Sequence, residues 1–183
     1  MTGTLPRALV LTILRHAEDF PWRIQDIGLM ALRLDDVREH RLHVWDPSYA
    51  DGDPPVHDHP YDFTSTVIVG QLTNARYREG PSWEEYVRFR YSPGAEDLRA
   101  SGTVALSSTA TTIDAGGQYS QLARELHTSA QLAGTVTAIR CSWVPVADLT
   151  VCLRDARSWR SARARDATRQ EVKRVAAKAL EWF

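Results

Sequence analysis

Short segments rich in β-branched and aromatic residues follow one another through most of the sequence, and they constrain the fold more than any other feature. Clusters of Gly, Pro, Asp and Ser separate them, as in Pro47–Pro55. Such a succession is typical of strands joined by tight turns. We predict strands over 28–35, 40–46, 63–78, 84–91, 103–113 and 135–144.

Two of these segments alternate in character with a period of two residues. Val87 and Phe89 alternate with Arg88 and Arg90, and a similar alternation runs through 135–144. This pattern favours an antiparallel sandwich or barrel. With 183 residues, of which 43% are hydrophobic, the chain has enough apolar material for one domain with a core.

Helical patterns flank the predicted strands. Apolar residues recur at three- and four-residue steps in the first twenty residues, and Pro21 ends that pattern. Near the other end, Asp166 or Thr168 can cap a helix that packs on the strands or on a partner subunit. Its apolar stripe consists of Val172, Val175, Ala176, Ala179, Leu180 and Phe183. We therefore divide the chain into an N-terminal helical segment (1–26), a β domain (27–150) and a basic C-terminal helical extension (151–183).

Basic and acidic residues nearly balance, with 22 Lys and Arg against 23 Asp and Glu and a net charge of −1. Such a charge excludes a surface that attracts nucleic acid or anionic membranes as a whole. The balance conceals a basic segment, since 154–178 holds nine basic and three acidic residues. We interpret it as docking on the chain's own β domain or on a partner subunit, and we expect neither nucleic acid nor membrane as a partner.

The sequence lacks the features that are typical of several classes of protein. It contains no apolar run long enough to span a membrane, no secretory signal and no glycine-rich phosphate loop. The two cysteines, Cys141 and Cys152, have no CxxC spacing. We therefore expect a cytoplasmic protein with reduced thiols.

A pair of histidines stands in the segment Pro55–Pro60, just before the most β-prone run of the chain. In an extended chain, His57 and His59 point to the same side, so that both imidazoles can converge on one ion. Asp58 lies between them and should point away. The HxD…H order of 2-oxoglutarate oxygenases is absent near these residues.

The arrangement resembles the first motif of the cupin superfamily, in which an HxH pair is followed at fixed intervals by a Glu and a Gly. Gly70 occupies the Gly position, but Phe63 stands where the Glu belongs. The second cupin motif, aligned on His127, matches Gly116 and loses its PxG, with Gln131 at its final Asn. The resemblance covers roughly 28–144. It implies an antiparallel cupin-type β-barrel (a double-stranded β-helix) at 27–150, between an N-terminal and a C-terminal helix.

The resemblance implies a metal site formed by His57, His59 and His127 without the motif carboxylate. Such a face leaves up to three positions open on the ion, as in thiol dioxygenases and related cupins. We expect a divalent metal ion, Fe(II) before Ni, Mn or Zn. Asp62 lies one residue before the Glu position. It is a candidate ligand if the strand bulges, a candidate for orienting a histidine, or a turn residue.

Side chains on the predicted strands are candidates for the mouth of the barrel. Arg140, or alternatively Arg76 or Arg88, would anchor a carboxylate substrate if it faced inward. Tyr119 would offer a phenol, and His43 alternates with hydrophobic residues and is a further candidate. We list Arg140 and Tyr119 as candidate catalytic residues, with outward-facing arginines and a packing tyrosine as the alternatives.

We expect a metal-dependent enzyme that acts on a small polar molecule, with a dioxygenase-type oxidation as its reaction. The alternatives are a non-catalytic ligand-binding or sensory cupin and a cupin isomerase or cyclase. A homodimer is expected because cupin barrels commonly pair through their outer strands.

Overall fold

The computed structural model describes residues 5–25, 27–37, 39–50, 53–82, 84–91, 99–145, 148–154 and 164–183. Two α-helices, a short 3₁₀ turn (Ala17–Asp19) and thirteen strands lie in these ranges. They are α1 (Arg7–Arg15), β1 (Arg23–Gln25), β2 (Ile27–Arg33), β3 (His40–Ala50), β4 (Val56–His57), β5 (Tyr61–Val69), β6 (Gln71–Glu79), β7 (Glu85–Tyr91), β8 (Arg99–Asp114), β9 (Gln118–Gln121), β10 (Leu126–Gln131), β11 (Val136–Trp143), β12 (Leu149–Leu153), β13 (Arg165–Asp166) and α2 (Arg169–Leu180).

The strands form two antiparallel sheets. The first sheet has the order β13-β1-β2-β3-β11-β5-β9, and the second has the order β10-β4-β12-β7-β8-β6. Strand β6 also pairs with β10, so that the pairing in the second sheet returns to its first strand. The prediction of a mainly β, antiparallel fold with a helix near each end is confirmed.

The first sheet lies between the two helices and the second sheet. On β3, Leu42 and Val44 belong to the apolar cluster that contains buried side chains of both helices. Trp45, on the opposite face, packs with Leu72 of β6 and Ile113 of β8. Because side chains alternate along a strand, Arg41 and His43 share the face of Trp45 and point toward the second sheet.

The predicted strands correspond to β2, β3, β5, β6, β7, β8 and β11, and the structure adds β1, β4, β9, β10, β12 and β13. The run 63–78 is divided into β5 and β6 at Gly70, whose φ is +80°. A Cβ at this position would approach the Thr135 Cα to 2.8 Å. Gly116, in the turn after β8, has a φ of +86°. Both turns need a conformation that glycine adopts without strain.

The C-terminal helix is capped as the sequence predicts. The Thr168 side chain accepts a hydrogen bond from the Glu171 N–H, and the Glu171 carboxylate accepts one from the Thr168 N–H, which completes a capping box. Val172, Val175 and Ala179 are buried against α1 and the first sheet. The apolar stripe therefore packs on the chain itself. Most of 154–165, the first part of the basic segment, lies outside the described residues.

Candidate metal centre

The three histidines come together because the short strands β4 and β10 pair in the second sheet. His57 on β4 lies directly opposite His127 on β10, and residues opposite each other in an antiparallel pair project to the same face. His59 follows two residues after His57. One ligand atom from each ring lies within 4.8 Å of the others. The ring centroids are 4.7 Å apart for His57 and His59, 4.8 Å for His57 and His127, and 5.1 Å for His59 and His127.

Hydrogen bonds fix the orientation of two of the rings. His57 Nδ1 lies 2.9 Å from the Pro55 carbonyl oxygen, which can only accept, so that Nδ1 carries the proton. His127 Nδ1 lies 3.0 Å from Asn74 Oδ1 and donates to it in the same way. In both rings Nε2 is therefore left unprotonated, with its lone pair available to a metal ion.

The donor set fits a metal ion because one of its atoms lacks any other partner. His127 is 4% exposed, and its Nε2 has no hydrogen-bond partner in the described part of the chain. A buried nitrogen without a partner costs free energy, which coordination of an ion would offset. Three imidazoles are a donor set that suits Zn, Cu, Fe and Ni.

The surroundings keep all three imidazoles neutral. Burial lowers the pKa of His57, and it lowers those of His59 and His127 well below their usual range. The neighbouring histidines add to the effect at His59 and His127. A metal ligand must be deprotonated, so the site is ready to bind an ion at neutral pH.

Aromatic rings line the cluster on the side of the first sheet. Phe63 lies 5.6 Å from the rings of both His59 and His127, between centroids. Tyr61 stacks on His59 with centroids 4.8 Å apart and planes tilted by 15°. Phe63, which aligns with the Glu of the cupin motif, therefore presents an apolar ring to the histidines. No Asp, Glu or Cys joins the metal-binding group within the described residues.

Asp62 is not part of the cluster. Its neighbours Tyr61 and Phe63 face the histidines, so the Asp62 side chain projects from the other face of β5. Its Oδ1 accepts a hydrogen bond from the Ala123 N–H at 2.7 Å. The next residue, Arg124, donates its N–H to the His59 carbonyl oxygen at 3.2 Å. The structure therefore places Asp62 where it holds the loop that leads to His127.

Asp58 points away from the histidines and fastens β4 to its other neighbour. It is 2% exposed, and its Oδ1 accepts a hydrogen bond from the Thr150 N–H at 2.8 Å. Burial raises the pKa of this carboxyl group. Because β4 has only two residues, this side-chain bond adds to the few pairings that hold His57 in place.

The two candidate catalytic residues, Arg140 and Tyr119, lie on opposite sides of the first sheet. Arg140 is exposed on β11 opposite His40 and Thr64, on the same face as Ala138, which packs toward the helices. The structure does not bring Arg140 to the cluster. Tyr119, by contrast, faces the second sheet and contacts Phe63 with ring centroids 5.8 Å apart.

Arg41 is an inward-facing arginine that the sequence patterns did not single out. Its Nη1 donates a hydrogen bond to the Tyr61 hydroxyl at 3.0 Å, and its guanidinium lies 4.8 Å from the Tyr61 ring centroid. Its buried Nε has no partner among the described residues, and its charge contributes to the low pKa of His59. The alternation of 41, 43 and 45 was the available signal, because it places Arg41 and His43 on one face.

His43 lies on this inner face but outside the three-histidine group. It is 7% exposed, and neither ring nitrogen has a hydrogen-bond partner in the described ranges. Its ring lies edge-on to Trp45, with centroids 6.0 Å apart. Burial lowers the pKa of His43 to about 3, and the positive charge of Arg41 contributes a smaller part of this shift. His43 is therefore a neutral side chain next to the candidate site.

Comparison with known proteins adds no relative. No protein-family model matches the sequence, and no curated protein is significantly similar to it. The similarity to cupins therefore rests on the motif residues and on the two antiparallel sheets. Among the described residues, no helix is both long enough and apolar enough to cross a lipid bilayer.

Proposed function

We propose that His57, His59 and His127 bind one divalent metal ion and that the protein is a metal-dependent enzyme acting on a small polar molecule. One observation carries the proposal: three neutral imidazoles converge, and the buried Nε2 of His127 has no other partner. The fold that we assign to it is a cupin-type barrel. In its favour are the two antiparallel sheets and the turns at Gly70 and Gly116.

The reaction that we propose is an oxidation with dioxygen at ferrous iron. Three neutral ligands leave the charge of the ion uncompensated and up to three positions open, so that bound iron would supply sites for substrate and dioxygen. Phe63 stands at the position of the cupin Glu, and no carboxylate joins the three histidines within the described ranges. Ni, Mn and Zn are the alternative ions.

The chain's own residues have separate tasks in this proposal. Asn74 and the Pro55 carbonyl hold the protons on Nδ1 of His127 and His57, which keeps each Nε2 directed at the ion. Phe63 and Tyr61 form a wall that excludes water from one side. Arg41 places a positive charge near His59, where it favours an anionic substrate over a neutral one.

Metal analysis of the untagged protein tests the site. We expect about one divalent ion per chain in the wild type and in His16→Ala, whose side chain is exposed and outside the three-histidine group. His57→Ala and His127→Ala should each lose the ion while still folding as judged by circular dichroism. Full metal occupancy in both cluster variants would refute the assignment.

Oxygen uptake tests the reaction separately. The protein loaded anaerobically with ferrous iron is mixed with small thiols and carboxylates, and dioxygen is followed with an electrode. We expect substrate-dependent uptake that His127→Ala abolishes. Ligand-dependent thermal stabilisation without uptake would instead identify a binding or sensory protein. The homodimer is a further proposal from the cupin resemblance, and light scattering tests it.

A further inference from the structure

A polar pocket lies between the second sheet and the edge strand β9 of the first sheet. Its volume is about 380 Å³, which is within the range of small-ligand sites. It is lined by two arginines, three hydroxyl side chains and a phenol: Arg76, Arg78, Ser107, Thr109, Thr111 and Tyr119.

The charge of this pocket is positive and not compensated. No acidic side chain is among its lining residues. Arg78 makes no ion pair with any described residue, and Arg76 donates a hydrogen bond to the Ser120 carbonyl oxygen, which carries no full charge. By contrast, Arg88 on β7 forms an ion pair with Glu79 at 2.5 Å. Two guanidinium groups without a carboxylate partner, next to several hydroxyls, are the chemistry that recognises an oxyanion.

The pocket and the metal centre share one face of the second sheet. Across β4, β10, β6 and β8 the pairing aligns His57, His127, Arg76 and Thr109 in one row. Residues directly opposite each other project to the same side, and neighbouring strands lie about 4.8 Å apart. Arg76 is therefore the next side chain after His127 in this row, and its charge contributes to the low pKa of His127.

Asn74 connects the two features directly. Its Oδ1 accepts the hydrogen bond from His127 Nδ1, and the same residue lines the pocket. On the opposite wall, Tyr119 contacts Phe63, which in turn contacts His127. Burial raises the pKa of Tyr119, so its phenol keeps its proton as a donor. The pocket thus ends one residue away from the histidines.

We propose that this pocket binds the oxyanion group of a small substrate, carboxylate or phosphate, and directs the rest of the molecule toward the three histidines. This inference deepens the proposed function, and the bound anion is a substrate only if that function is correct. Arg78 and Arg76 bind the anion, the hydroxyl groups on β8 donate hydrogen bonds, and Asn74 separates the anion from the ion.

The first arm of the test measures anion binding without metal. Inorganic phosphate and succinate are titrated by calorimetry into the metal-free full-length protein. We expect saturable binding of one of them, which identifies the anion class. Arg78→Gln should weaken the affinity for this anion about tenfold. Arg90→Gln, an exposed arginine of β7 outside the pocket, should change it less than about twofold. Equal affinities in wild type and Arg78→Gln, or no saturable binding, overturn the proposal.

The second arm measures proximity to the metal centre. The protein is loaded with Mn(II), and NMR line broadening of the bound anion is followed. Broadening in the wild type and Arg90→Gln but not in Arg78→Gln supports the proposal, whereas broadening independent of Arg78 overturns it. If the chain takes up no ion, the proposed function fails, yet the first arm still decides whether the pocket binds an oxyanion.

Discussion

His57 and His127 lie directly opposite each other in the pairing of β4 with β10, with ring centroids 4.8 Å apart. They are the single aligned pair between these strands, and β4 also pairs with β12 on its other side. The same pairing therefore joins two candidate ligands and links β4 to β10 in the second sheet. The geometry of the site depends on the integrity of the sheet at this point.

Removal of the hydrogen-bond acceptor of His127 should weaken metal binding without removing a ligand. Asn74→Ala leaves His127 Nδ1 without its partner, so we expect zinc affinity to fall about 10- to 100-fold. A competition assay with a fluorescent chelator measures it. Asn74→Asp keeps an acceptor and should retain most of the affinity. Ser129→Ala removes only the hydroxyl that lies 3.4 Å from Asn74 Oδ1 and serves as the control. Equal losses in Asn74→Ala and Ser129→Ala would contradict the orienting role.

Introducing a carboxylate at the position that aligns with the Glu of the cupin motif should make the protein more dependent on metal. Phe63→Glu places a carboxylate beside His59 and His127 at a position that is 5% exposed. We expect a lower Tm without metal, because a buried carboxylate is costly, and zinc affinity raised about tenfold or more, because the carboxylate is a fourth ligand. Differential scanning calorimetry with and without zinc tests both expectations.

Thr64→Glu is the matched control for that variant. Thr64 is the next residue along β5, and its hydroxyl lies 3.0 Å from the Ser120 hydroxyl rather than in the cluster. Its substitution should leave zinc affinity within about twofold of the wild type. Equal gains in the two variants would mean that the two faces of β5 are assigned incorrectly.

Buried histidines should make the metal-free protein less stable in acid. Burial lowers the pKa of His43 to about 3 in the folded chain, from about 6.5 for an exposed histidine. Between these values the unfolded chain binds one more proton at this residue. Stability is therefore full above pH 6.5, falls by about 1.4 kcal/mol per pH unit below it, and levels off near the folded pKa.

Urea unfolding of metal-free protein between pH 4 and pH 7 (roughly the titration range of histidine) measures this dependence. In His43→Phe the group no longer titrates, so its curve should be flatter than that of the wild type by about 1.4 kcal/mol per pH unit. His16→Ala, which removes an exposed histidine, is the control. Parallel curves for wild type and His43→Phe would show that His43 is protonated in the folded chain.

Asp62 should matter to stability rather than to the metal. Asp62→Ala removes the acceptor of the Ala123 N–H, so we expect a loss of about 1–2 kcal/mol in the free energy of unfolding. Metal content should stay at the wild-type value, whereas His59→Ala should lose the ion. Chemical denaturation and metal analysis of the same samples separate the two effects. Loss of the ion in Asp62→Ala would return this residue to the list of ligands.

The sequence alone determined the local features of the fold. Runs of β-branched and aromatic residues marked β2, β3, β5 to β8 and β11, with period-two alternation in two of the segments. The apolar steps at both ends marked α1 and α2, and Asp166 and Thr168 were the two candidate caps of α2, of which the structure uses Thr168. The convergence of His57 and His59 also followed locally, since residues two apart on an extended chain share a side. Strand β10 was missed because its sequence, LHTSAQ, is polar and lacks a β-branched run.

Only the tertiary structure decided which residues meet at the site. Alternation divides a strand into two faces but does not say which face is covered. From the sequence Arg140 was a candidate and Arg41 was not, whereas strand pairing places Arg41 beside Tyr61 and leaves Arg140 exposed. The contact of His127 with His57, and the row that continues to Arg76, arise from pairing between strands distant in sequence. Such pairing depends on the packing of the whole sheet, which no local pattern encodes.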